Sequence, residues 1–193
     1  MSVPPLTSLQ NPRIKEAVRL LQRRARKRSG RTRIDGAREL LRALDGGVVP
    51  EILFHCDELV RPGEGAQALR RCREAGVPLQ PVSLEVSEKL AFGDRREGLC
   101  AVVAWAPRSL EEVELPPQPL VLVLTAIEKP GNLGALLRTA DAAGVDAVLC
   151  CDTVTDPGNP NAVRASLGTL FTMPLAQASA AEAEAWLLRR GVK

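Results

Sequence analysis

The stretch "PLVLVLTAIEKPGNLGALLRTADAAGVDAVLCC", residues 119–151, decides the fold. Its opening "LVLVLTAI" is a continuous apolar run, the pattern of a strand buried on both faces of a parallel sheet. Pro130, Gly131 and Asn132 end that run, and the helical "NLGALLRTADAAG" begins at once, closing at Gly144. "VDAVLCC" is the next predicted strand. Strand, turn, helix, strand in so few residues is the βαβ unit of an open α/β sheet, whose ligands bind at the carboxyl ends of the strands. Asn132 stands at that edge, where its plain structural role would be a helix N-cap. Gly134, in the first turn, costs about 1 kcal/mol of helix stability relative to alanine, and predicts close backbone approach to a ligand or another chain. Arg138 follows six residues after Asn132 and so points from a different side of the helix.

The same alternation extends both ways. Beyond residue 151, "DTVTDPGNP" reads as a loop and "NAVRASLG" as a short helix. "TLFTMPLA" is a third strand and "SAAEAEAWLLRRG" a last helix. Upstream, residues 107–119, "PRSLEEVELPPQP", are acidic and proline-rich and read as a linker. The boundaries expected are therefore a first domain at 1–106, a linker at 107–119 and a parallel-sheet domain at 120–193. In the first domain "NPRIKEAVRLLQRRARKRSG" reads as one amphipathic basic helix, with Asn11 as N-cap, Pro12 at its first position and Gly30 at its end. Helices are expected at "ARELLRALDG", "GEGAQALRRCREAGV" and "LEVSEKLAF", and strands at "PEILFHC", "PLQPVS" and "GLCAVVAWA".

Composition narrows the chemistry. Apolar residues are 45% and charged residues 25% of the 193, an ordinary soluble composition. No apolar run approaches the ~20 residues of a membrane helix, and the first residues lack a secretory h-region. Five cysteines without a Cys-x-x-Cys pair, and a single histidine, give neither a disulfide framework nor a zinc site; a reducing cytoplasm fits. His55, on an apolar strand, reads as a core residue rather than part of a catalytic triad. No Gly-x-Gly-x-x-Gly or P-loop is present. The net charge is +3, yet residues 13–33 carry ten basic side chains against Glu16 alone, a local +9. That concentration suits a polyanion, with RNA contacts expected from Asn11, Lys15, Arg23, Arg24 and Arg26. Aromatics are 3% and tyrosine is absent, which favours recognition of shape and backbone over base stacking.

The residues also carry a resemblance. "EKPGNLGALLRTADAAGVDAVLCC" resembles the first signature of the SpoU/TrmH-type RNA ribose methyltransferases of the SPOUT superfamily, Asn-x-Gly-x-x-x-Arg-x-Ala/Cys, at Asn132, Gly134, Arg138 and Ala140. "NAVRASLGTLFTMPL" resembles the block that follows it, with Arg164, Ser166, Gly168 and Pro174 in place. The opening 39-residue segment from Leu6 to Leu44 and "RREGLCAVV" resemble the amino-terminal substrate-binding domain often joined to these enzymes, with Asp35-Gly36 where Glu-Gly is usual. The resemblance implies a ribosomal-protein-like α/β RNA-binding domain followed by the first half of a SPOUT (α/β knot) domain. It implies methyl transfer from S-adenosylmethionine to a ribose 2′-hydroxyl, with ribosomal RNA the expected substrate, Asn132 and Arg138 catalytic, and Arg164 and Ser166 on the substrate. It also implies a cytoplasmic protein, a homodimer when the catalytic domain is complete, and no metal. Whether Arg138 acts as base or electrostatic stabiliser stays open, although arginine's high pKa favours the second. The family's two later motifs, which build the cofactor knot, do not occur here, so no cofactor-binding residue is assigned. The expectation is that residues 1–193 are a fragment that by itself neither holds the cofactor nor methylates RNA. Two rivals stand beside this: an RNA-binding module without catalysis, and an unrelated α/β nucleotide-binding protein.

Overall fold

A computed structural model describes residues 3–93 and 96–192; Arg95 of the "RREGLCAVV" block lies outside them. The chain divides into two compact units, Met1–Trp105 and Ala106–Lys193.

The first unit is an α/β layer structure. Its helices are α1 (Pro12–Arg19), α2 (Arg23–Ser29), α3 (Ala37–Asp45), α4 (Glu64–Glu74) and α5 (Leu84–Leu90), and its strands are β1 (Arg31–Asp35), β2 (Ile52–His55), β3 (Leu79–Pro81) and β4 (Leu99–Ala104). The four strands form one sheet in the order β1-β4-β2-β3, with β4 antiparallel to both neighbours and β2 parallel to β3. Alternation along the strands divides the core. Phe54, Cys100 and Val102 meet Ile14, Ala17 and Leu20 from the α1 segment and Val86 and Leu90 from α5. His55 is 8% exposed, with Nδ1 2.7 Å from Asp57, the core placement expected of it.

Two elements depart from the sequence reading. The single basic helix over 11–30 is instead two helices, broken at residues 20–22. Asn11 does cap the first, its Oδ1 accepting from the Arg13 amide at 2.9 Å, and Gly30 ends the second in the left-handed region at φ 64°. Straight after it comes β1, a strand with no apolar run to announce it: Thr32 and Arg33 are both buried. Arg33 is accommodated because Nε donates to Asp35 at 2.9 Å, Nη2 donates to Asp35 and to the Leu90 carbonyl, and Nη1 donates to the Ala17 carbonyl at 3.4 Å.

The second unit contains β5 (Val121–Thr125), α6 (Pro130–Ala142), β6 (Ala147–Cys151), α7 (Pro160–Ala165), β7 (Leu175–Ala178) and α8 (Ala180–Arg189). Its strands form a wholly parallel sheet in the order β5-β6-β7. The strand buried throughout is β6, not β5. Among the described residues β5 pairs on one side alone, so Leu120 and Val123 remain 53% and 40% exposed. The third strand starts later than "TLFTMPLA" suggests, because Thr169–Phe171 wind into a 3-10 turn first. Residues 107–119, expected as a linker, supply Leu110 and Val113 to a core with Leu149, Ala176 and Trp186. No helix among the described residues is long and apolar enough to cross a membrane.

Candidate functional site

The carboxyl ends of β5 and β6 form one continuous edge. Ala126 and Asp152, the residues that leave those strands, both take positive φ, 53° and 49°. Non-glycine residues held there cost of order 1–3 kcal/mol each and persist where surrounding bonds fix them. The bonds are present: the Ala126 amide donates to the Cys151 carbonyl at 3.1 Å, and the Asp152 amide to the Ala178 carbonyl at 3.2 Å. The Thr155 amide then donates to the Ile127 carbonyl at 3.1 Å, which ties the loop after β6 to the loop after β5. Asp152 uses its carboxylate to accept from the Ala180 amide at 3.1 Å, at the start of α8. Asp152 is of a type that tolerates this region through its short polar side chain, whereas nothing in the local sequence announces Ala126.

From this edge α6 rises with Lys129 as its N-cap residue and Pro130 at its first position. Asn132 is therefore the third residue of the helix and not its cap; its side chain is exposed. Arg138 is exposed too. At about 100° per residue the two lie about 120° apart around the axis, on opposite flanks of the stripe formed by Leu133, Leu137 and Ala140. Both polar groups face outward from a helix whose buried side is fully packed.

The close backbone approach expected at Gly134 is found within this chain. A Cβ built on it would lie 2.5 Å from the Ala165 Cβ, 2.7 Å from the Ser166 amide nitrogen and 2.8 Å from the Ala162 carbonyl oxygen. The close approach is to α7. Gly134→Ala is therefore expected to destabilise the second unit by about 1–3 kcal/mol through overpacking, beyond the ~1 kcal/mol gained in helix propensity. A urea unfolding curve at or above the parent's midpoint would refute this.

Docking against that glycine explains the residues of the second block. Asn159 caps α7, its Oδ1 accepting from the Asn161 amide at 2.9 Å. Arg164 is half-buried in the last turn. Ser166 is 0% exposed, donates from Oγ to the Val163 carbonyl at 2.8 Å and accepts at its carbonyl from Thr169 Oγ1 at 2.9 Å. Ser166 is thus a packing residue, not the substrate contact expected of it. Burial pushes the Cys150 thiol up to about 12, with Cys151 beside it adding to the rise, and burial raises Cys151 as well, which disfavours the thiolate at both.

On the first unit, Lys15, Arg23 and Arg24 are exposed, as are Arg13, Arg19, Lys27 and Arg28. Arg26 is not available to a polyanion. It is 5% exposed and donates from Nη1 to the carbonyls of Leu20 and Leu21 at 2.7 and 2.9 Å. Its neighbours' charges gave the sequence no sign that this one side chain turns inward.

Two family models match the two units. Residues 11–101 match the MRM3-like substrate-binding domain, and residues 119–192 match the SpoU rRNA methylase family. A crystal structure of an RNA 2′-O ribose methyltransferase superposes with a TM-score of 0.80 at 39% identity, over 97% of this chain and 70% of that one. The chain belongs to the SpoU rRNA methylase family. The S-adenosylmethionine-bound rRNA methyltransferase of Sinorhizobium meliloti gives a TM-score of 0.82 at 26% identity, over 98% of this chain and 69% of that one. Among curated relatives, a tRNA/rRNA methyltransferase of Synechocystis is 30% identical over 89% of this chain. The Bacillus subtilis 23S rRNA (guanosine(2553)-2′-O)-methyltransferase is 29% identical over 88% of it. This SpoU-family chain spans 61 and 63% of the length of those two relatives.

Proposed function

We propose that this SpoU-family protein methylates a ribose 2′-hydroxyl of RNA, ribosomal RNA being the class its relatives' names point to, with S-adenosylmethionine as methyl donor. The observation that carries the reading is the family block itself in its structural setting. Asn132 and Arg138 stand exposed on the helix that leaves the carboxyl edge of a parallel sheet, where Ala126 and Asp152, the residues leaving β5 and β6, take positive φ.

The described residues at this edge do not enclose an adenosyl group. Thr125, Ala126, Glu128, Lys129, Asn132 and Arg138 are all exposed. A ribose hydroxyl is a weak nucleophile that must shed its proton as it attacks. An arginine guanidinium keeps its own proton at neutral pH and so serves poorly as base. The role proposed for Arg138 is to hold the adjacent phosphate and stabilise the negative charge developing on the 2′-oxygen. Asn132 offers an amide that orients the ribose. Arg164, half-buried on the neighbouring helix, is proposed as a second phosphate contact. Dependence on the 2′-hydroxyl excludes DNA as substrate.

In the first unit, the exposed cations of α1 and α2 are proposed to grip the RNA backbone, with Asn11 limited to its role as helix cap. A cytoplasmic location and a homodimer fit the same reading. The test is incubation of the gene product that carries residues 1–193, not of these residues alone, with ribosomal RNA and methyl-labelled S-adenosylmethionine, followed by alkaline hydrolysis. Label in alkali-resistant dinucleotides is expected, because a 2′-O-methyl group blocks cleavage at its own linkage. Label on bases, or RNA binding with no transfer, overturns the proposal.

A further inference from the structure

Helix α2, "RRARKRS", has no apolar face to hold it. Five of its seven residues are cations, and Arg26 is its one buried side chain. Helices this short are marginal on their own, and clustered like charges weaken them further. Arg23 and Arg24 stand in the first turn, where the helix dipole disfavours positive charge. What fastens α2 is the Arg26 guanidinium, bonded to the Leu20 and Leu21 carbonyls where α1 ends. The Leu20 carbonyl, at the C-cap of α1, belongs to the set that a helix terminus leaves without intrahelical partners, the Leu21 carbonyl follows just beyond it, and the negative end of the α1 dipole favours a cation there.

We propose that Arg26 is a positioning residue for RNA: it touches no phosphate, and by clamping α2 onto the end of α1 it presents Arg23, Arg24, Lys27 and Arg28 as one rigid basic surface. This inference rests on the reading that the α1–α2 face binds RNA. It predicts that loss of one buried charge removes the contribution of several exposed ones.

The experiment measures the affinity of the full chain for a fluorescein-labelled mixed-sequence RNA hairpin across a salt series. Each lost phosphate contact makes the slope of log K against log salt shallower by about 0.9. Arg26→Met fills the site without donating hydrogen bonds, and is expected to flatten the slope by at least about 2, more than one contact can account for. Arg26→Lys, which keeps a donor for the carbonyls, is expected to recover most of that loss. In a background of R23Q, R24Q, K27Q and R28Q together, R26M is expected to change the slope no further. A flattening of about 1 or less for R26M, or an unchanged slope with a lower melting temperature, overturns the proposal. If the fourfold variant itself leaves the slope unchanged, the RNA face is wrong rather than the role of Arg26. Amide exchange in the unaltered protein tests the clamp without any variant. Protection of the residue 26–30 amides comparable to that in α1 is expected, and exchange at unstructured rates overturns it.

Discussion

Arg138→Ala is expected to lower methyl transfer by about 10²–10³-fold, the usual loss when one preorganised donor to a developing oxyanion is removed. The unfolding midpoint should hold, because Arg138 is exposed and contributes nothing to the packed stripe of Leu133, Leu137 and Ala140. The loss should fall on kcat/KM, with RNA affinity reduced by no more than one phosphate contact. Lysine at the same position keeps the charge but not the two-pronged donor geometry, so Arg138→Lys should recover only part of the rate. A full recovery would mean that charge alone matters. An alanine variant with parental activity would remove Arg138 from the mechanism. Asn132→Ala is a useful companion: since Lys129 and not Asn132 is the N-cap residue of α6, its loss should carry none of the usual cost of a missing cap.

Arg33→Ala is expected to destabilise the first unit by about 3–5 kcal/mol, the range found when one partner of a buried ion pair is removed. The side chain is 0% exposed and Asp35 only 12%, so the carboxylate cannot turn to solvent without moving β1. Two further groups lose their donor, the carbonyls of Ala17 and Leu90, which come from the α1 and α5 segments on one face of the sheet. The cost is large against the ~5–15 kcal/mol total stability of a typical domain. Removing both charges as R33M and D35L should cost less than R33A alone, because no uncompensated charge is then buried. Urea unfolding of the three variants decides it: a loss under about 1 kcal/mol for R33A would show that Arg33 is a passenger.

The βαβ order of the second unit was legible because its signals are local: an apolar run, a proline-glycine stop, helical spacing, a closing glycine. The family block was legible for the same reason, as fixed spacings within a few turns. What escaped was set by partners distant in the sequence. Which strand is central depends on which finds two neighbours, and that is β6. Strand β1 hides because only Ile34 of its three buried residues is apolar, beside Thr32 and Arg33, the latter acceptable only once Asp35 and two remote carbonyls converge on it. The break between α1 and α2 and the inward turn of Arg26 are one event, invisible in a run of like charges. Ser166 resembles a substrate contact by position and is a packing residue by geometry, because Gly134 admits α7 so closely.

That notch at Gly134 has a consequence for what the protein can accept. Backbone set against backbone leaves α6 and α7 no room to slide, so the backbone positions that carry Arg138, one turn beyond the notch, and Arg164, just before Ala165, keep a constant span. Under the proposed function they work as the fixed jaws of a caliper. An RNA strand bent to the right phosphate spacing seats in both, and one of any sequence but the wrong curvature reaches only one.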